Sequence, residues 1–288
     1  MADFADYWYL SDDGVRLYAR DYTHDSARDS VESACPLLCM HGLTRNSADF
    51  AGLASHVGQQ RRVLVADQRG RGRSGYDRNP ANYHLGTYVQ DMLRLLNKVN
   101  WQESLLLGTS MGGLMAMMMA AAQPTRCRGL ILNDIGPVVD PRGLARIQSY
   151  VGKSRPVATW QAAVAQVRLI NGEAFPDFTD AQWLDFTRAL YREEGGRPVL
   201  AYDPAIALTA TANKAVAPDL WPLFDAIVAL PILLVRGAHS DILSPACVAA
   251  MRRRKPDLVV VEIPRRGHAP SLDEVSARQA IDRFLARF

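Results

Sequence analysis

Short runs of consecutive apolar residues recur along the chain, at Leu37 to Met40, Val63 to Ala66, Leu105 to Leu107, Leu130 to Leu132, Ile232 to Val235 and Leu258 to Ile263. Helical patterns separate them, at Phe50 to Gln59, Tyr88 to Val99, Met111 to Ala122, Ala246 to Lys255 and Val275 to Ala286. A run that is apolar at every position suits a strand covered on both faces, and such strands joined by helical crossovers predict a parallel, doubly wound sheet. Within this pattern Met115-Ala116-Met117-Met118-Met119 is apolar all round, which predicts a central helix buried on every side.

Two stretches depart from the alternation. Near the start, Trp8-Tyr9-Leu10 and Val15 to Ala19 flank Asp13-Gly14, a turn pair that predicts an antiparallel hairpin, followed by a polar stretch from Thr23 to Ser33. Between Pro137 and about Pro222 no strand-like run occurs and helix starts multiply: Asp140-Pro141 reads as a cap followed by a first-turn proline, and Thr179 with Gln182 as a capping box. The expected organisation is therefore a core of residues 1–136 and 223–288 with a helical cap at 137–222. The cap's aromatic residues Trp160, Phe175, Phe178, Trp183, Phe186, Tyr191 and Tyr202 suit either a pocket wall or the packing of the insertion itself.

Composition narrows the function. At 288 residues and 48% hydrophobic content the chain can fill a large interior. A net charge of +3, with basic residues scattered apart from Arg252 to Lys255 and Arg265-Arg266, argues against nucleic-acid binding. The first cluster ends a helical pattern before Pro256, where cations oppose the helix dipole, so a solvated last turn is expected. No apolar run is long enough for a membrane span, and the acidic start lacks the pattern of a secretion signal. Cys35, Cys39, Cys127 and Cys247 lack metal-type spacing and read as reduced thiols of a cytoplasmic protein.

Candidate chemistry centres on Gly108-Thr109-Ser110-Met111-Gly112, set between an apolar strand and a helix. A serine on so sharp a turn is lifted clear of the sheet, and glycines flank it where side chains would collide. Its hydroxyl is a weak nucleophile, so it needs a histidine in reach and a carboxylate to hold that histidine. His268, in the loop after the last strand, is the best base. His24, His56 and His84 read as solvated or structural, and His239 would leave His268 without a role. Two carboxylates end strands, Asp134 and Asp241. The developing oxyanion needs two donors, for which the backbone N–H groups of Met111 and Leu43 are the candidates, with His41 bracing the Leu43 loop. The glycines of Arg69 to Ser74 lack the ending that a phosphate-binding loop requires.

Together His41-Gly42, Asp67-Gln68-Arg69-Gly70-Arg71-Gly72-Arg73-Ser74, the turn at Ser110, Gly237 with Asp241, and Gly267-His268 resemble the α/β-hydrolase superfamily, specifically its esterase and lactonase-like members with a helical cap. The resemblance implies an α/β-hydrolase fold with a mostly parallel, eight-stranded sheet that starts with an antiparallel hairpin. It implies a Ser, acid, His triad in that chain order, for which Asp241 is the preferred acid, with Asp134 shaping the entrance to the insertion. It implies no cofactor and no metal. Dehalogenases and epoxide hydrolases of the superfamily carry aspartate where Ser110 stands. The expected activity is hydrolysis of a small or medium carboxylic ester, the partners being a small acyl substrate and water. A lactone, a thioester or a carbon–carbon bond beside a ketone would suit the same groups, and a ligand sensor on a hydrolase scaffold is the rival of another class.

Overall fold

The computed structural model describes residues 4–22, 34–212 and 219–288, so the polar stretch after the hairpin, with His24, lies outside the described residues. Strands β1 (Ala5–Leu10) and β2 (Arg16–Tyr22) pair antiparallel across the expected turn, where Gly14 has φ of 86°, a conformation glycine adopts without strain. Strand β2 then runs antiparallel to β4 (Val63–Asp67). From there the sheet is parallel through β3 (Leu37–Met40), β5 (Ser104–Thr109), β6 (Cys127–Asn133), β9 (Ile232–Gly237) and β10 (Val259–Ile263). The order of the eight strands is β1-β2-β4-β3-β5-β6-β9-β10, a mostly parallel sheet opened by an antiparallel hairpin, as the resemblance implies.

Alternation along the strands sends side chains to two cores. Leu38, Met40, Leu64, Leu106, Leu132 and Leu234 face one layer, formed by α2 (Leu85–Lys98), α3 (Met111–Ala122), α8 (Trp221–Asp225) and α9 (Pro245–Arg254). Leu37, Cys39, Val65, Leu107, Ile131 and Val235 face the other, formed by α1 (Ala51–Val57) and α10 (Val275–Leu285). This two-sided burial explains why the strands are continuously apolar, and truncating one such leucine to alanine costs about 2–5 kcal/mol. Helix α3, with Met115, Ala116 and Met117 wholly inaccessible, crosses directly behind the Ser110 turn.

The insertion holds α4 (Pro141–Tyr150), α5 (Trp160–Asn171), α6 (Asp180–Leu190) and α7 (Ile206–Ala212). Asp140 caps α4 ahead of Pro141, and Thr179 and Gln182 form the reciprocal capping box of α6. Contrary to the all-helical reading, α6 leads into a hairpin of β7 (Tyr191–Glu194) and β8 (Arg197–Leu200), turned by Gly195 and Gly196 at positive φ. Its strands are too short and too exposed to show a hydrophobic run, which is why the sequence pattern missed them. Ala163, Val167, Phe175, Trp183, Leu190 and Tyr191 make a small core of their own, while Ile147, Tyr202 and Ile206 pack onto the main one. A second correction concerns Lys255, expected in a solvated turn: its side chain is 1% exposed, and its ammonium donates to the Val228 carbonyl and pairs with Asp257. No helix among the described residues is long and apolar enough to cross a membrane.

Candidate active site

Ser110 stands between β5 and α3 at φ of 54°, a left-handed conformation rarely adopted by a residue with a side chain. The flanking glycines permit it. A Cβ on Gly108 would lie 2.1 Å from the Gly112 carbonyl oxygen, and one on Gly112 would lie 2.0 Å from that of Met40. The strained turn directs the hydroxyl above the sheet, where Ser110 Oγ and His268 Nε2 are 2.8 Å apart.

His268 is held from behind by Asp134, whose Oδ2 is 2.8 Å from Nδ1. The carboxylate fixes the proton on Nδ1 and leaves Nε2 free to accept from the serine hydroxyl. Asp134 itself is fully buried and triply bonded: besides His268, the Gly237 N–H donates to Oδ1 at 2.9 Å and the Ser240 hydroxyl to Oδ2 at 2.6 Å. Three donors on a buried carboxylate hold it in one orientation and offset the cost of its burial.

Asp241, the acid expected from the sequence, is elsewhere engaged. Arg146 of α4 grips it with two bonds, Nε to Oδ2 at 2.6 Å and Nη2 to Oδ1 at 2.9 Å. Burial alone would raise its pKa, but the Arg146 pairing outweighs this and holds the carboxyl below its usual range. The physical reason for the exchange is register. Thr109 and Asn133 pair across β5 and β6, so the next residues, Ser110 and Asp134, come out side by side. Asp241 instead lies four residues past the end of β9, beyond the turn that Ser240 closes. Asp134 also obeys the Ser, acid, His order, so chain order could not separate the two; an aspartate directly at the end of an apolar run was the usable signal. The expected role of Asp134 at the entrance to the insertion gives way to this bonding with His268.

The other histidines have structural partners or none of this kind. His41 is buried, with Nδ1 2.7 Å from the Gly42 carbonyl and Nε2 accepting from the Gln68 N–H, which braces the loop as expected. Burial depresses its pKa to about 3, so it stays neutral. His56 meets Asp282, His84 caps α2, and His239 is exposed.

Neither the Leu43 nor the Met111 N–H finds an acceptor among the described residues, as suits donors kept for a ligand oxygen. One residue not singled out in the sequence ties the two together. Arg71 is fully buried, donates from Nε to the Leu43 carbonyl at 2.9 Å and from Nη1 to the Arg69 carbonyl and the Tyr88 hydroxyl, and rests Nη2 3.9 Å from Met111 Sδ. Beside it the buried Arg69 pairs with the buried side chains of Asp77 and Asp91 and with the exposed Asp13, which anchors this loop to the first hairpin and to α2. Sequence reading saw in these arginines only a turn, because their partners are distant in the chain.

Above Ser110 and His268 opens a cavity of about 480 Å³, walled on the insertion side by Ile147, Phe175, Phe178, Phe186, Tyr191 and Tyr202. The insertion's aromatic residues thus do both jobs considered for them, while Trp183 is buried in its small core. Among the described residues no group of three or more His, Cys, Asp or Glu side chains is set to hold a metal. The four cysteines are free, three of them buried.

Known proteins agree with this architecture. The family model described as alpha/beta hydrolase fold matches residues 36–275. A crystallised alpha/beta hydrolase from Novosphingobium aromaticivorans superposes with a TM-score of 0.93 at 40% identity, covering 100% of both chains. A 3-hydroxybutyrate-oligomer hydrolase from Cupriavidus necator is 36% identical over 244 residues, 82% of this chain and 83% of its own. A 2-(acetamidomethylene)succinate hydrolase from Mesorhizobium japonicum is 28% identical over 253 residues, 86% and 87% of the two chains. With a matching sheet, a serine on the strained turn after β5 and relatives that are hydrolases along most of their length, the chain belongs to the alpha/beta hydrolase fold family and is a hydrolase.

Proposed function

We propose that the protein cleaves a carboxylic ester through a covalent acyl-enzyme, with Ser110 as nucleophile, His268 as general base and acid, and Asp134 as the group that orients and stabilises the imidazolium. The observation that carries this reading is the unbroken series of bonds from Ser110 Oγ and His268, which line the cavity, to a buried, triply bonded Asp134 behind them. As Oγ attacks the carbonyl carbon, its proton passes to His268 Nε2, and the new oxyanion accepts the Leu43 and Met111 N–H groups. The protonated imidazole then returns the proton to the leaving alkoxide, and the C–O bond breaks. Water, deprotonated by the same nitrogen, attacks the acyl-serine and releases the acid. The neutral histidine, bonded through Nδ1–H, is the form that each half-reaction needs.

The name of the Cupriavidus relative directs the substrate toward esters of short hydroxy acids, and the apolar wall of the cavity suits their carbon chains. The name of the Mesorhizobium relative, with its acetamido group, favours acyl transfer from nitrogen as the second reading. Competing esters, lactones and N-acyl compounds in one kcat/KM panel orders the two, with esters expected first. A fluorophosphonate should label Ser110 stoichiometrically, and Ser110→Ala should lose labelling and ester turnover on the order of 10⁴-fold or more. Turnover retained by that variant would refute the assignment.

A further inference from the structure

We propose that Arg45 is the anchor for a carboxylate carried by the substrate, so that the cavity takes acyl compounds with an acid group a few bonds from the scissile carbonyl. This rests on the Ser110 reading above and narrows its substrate class. Arg45 follows the Leu43 loop and lines the same cavity as Ser110; its Cγ and Ser110 Cβ both border Gly42, at 3.6 and 3.8 Å from the point a Cβ there would occupy. The guanidinium lines the cavity in a fixed pose. Asp49 holds Nε at 2.7 Å, and the ring of Phe186, from the insertion, lies 4.0 Å beneath the guanidinium carbon. Those two contacts occupy one nitrogen and one face. The terminal nitrogens bond to no other group among the described residues, although the side chain is only 22% exposed.

A planar cation with an unused fork, stacked on an aromatic ring, is built for bidentate contact with a carboxylate, and the neighbouring apolar wall strengthens that contact by excluding water. The cavity's other cation differs. Arg266 spends Nε on Glu274 and Nη1 on Asp177 and its neighbour's carbonyl, so it serves the fold. Of the lining carboxylates, Glu274 is paired with Arg266 and Asp273 with Arg278, and Asp185 is exposed, while Asp49 engages Arg45 through Nε and leaves its two terminal nitrogens to the substrate. An ester with an apolar body and a terminal acid therefore places its charge at Arg45 and its carbonyl at Ser110.

The test compares two esters of the same leaving group, p-nitrophenyl hemiglutarate, which bears a carboxylate, and neutral p-nitrophenyl valerate. In Arg45→Gln the ratio of their kcat/KM values should fall about 30-fold, chiefly through KM for the acid, with Arg45→Lys in between. If Arg45 served only to clasp Phe186 of the insertion, both esters would suffer alike and the ratio would stand still, which overturns the proposal. Binding provides the check that needs no turnover. Glutarate should bind Ser110→Ala protein at least about tenfold more tightly than the Ser110→Ala, Arg45→Gln double variant, and equal affinity for the two also overturns it. Absence of Ser110 labelling by a fluorophosphonate would instead refute the hydrolytic reading, so the two failures are distinct.

Discussion

The ends of β6 and β9 are neighbours in the sheet, and each is followed by an aspartate, yet the two carboxylates live in different surroundings. Asp134 is the first residue past its strand, wholly buried, and meets only donors: an amide, a hydroxyl and the His268 ring. The Asp241 side chain is 31% exposed, and its partner is a cation from the insertion. Parallel strands leave the sheet edge together, so adjacent strand ends can address one histidine. What separates them is how far the chain has travelled since its last ladder bond. The shorter excursion ends on His268; the longer one reaches a partly exposed position and ties core to insertion.

The sharpest break of this comparison is Asp134→Asn. It should lower kcat about 10⁴-fold while leaving labelling geometry intact, because an amide can no longer hold the Nδ1–H tautomer. A kcat within tenfold of the parent would return the role to Asp241. Ser240→Ala removes one donor from the same carboxylate and should cost about tenfold in kcat, equivalent to about 1.4 kcal/mol in the barrier, with KM little moved. The smallest effect belongs to Asp241→Asn. Its half-exposed ion pair contributes at most about 1 kcal/mol to stability, read by urea unfolding. The sign follows from the pairing: Arg146 keeps the folded carboxyl below its ordinary 3.8. The contribution is thus full above that value and lost as pH falls through the depressed folded one, so the stability gap between parent and variant should start to narrow below 3.8 and close only once pH has passed the folded value.

The same contrast separates what could be read in the chain from what could not. Ser110 announced itself because its constraint is local: two glycines, a strand before and a helix after lie within a dozen residues. His268 was findable as the one histidine in the loop directly after the last strand. The carboxylate was not, since both aspartates satisfy the same order and the deciding pair, Thr109 with Asn133, joins residues far apart in sequence. Arg71 and Arg45 escaped for a related reason. A buried arginine bonded to carbonyls, and a stacked one beside a cavity, have the same one-letter code as a solvated turn. The short hairpin of the insertion went unseen because its exposed strands carry no hydrophobic rhythm.

Sequence by itself determined the layered architecture, since continuous apolar strands and their helical crossovers have few ways to bury both faces, and it determined the strained serine turn, since its steric requirements act between neighbours. Only the tertiary structure decided which acid bonds to His268, how Arg71 joins the Leu43 loop to Met111 and which cation at the cavity keeps its terminal nitrogens unspent. Those outcomes depend on strand register and on contacts across many tens of residues, and a local pattern of residue types carries no record of either.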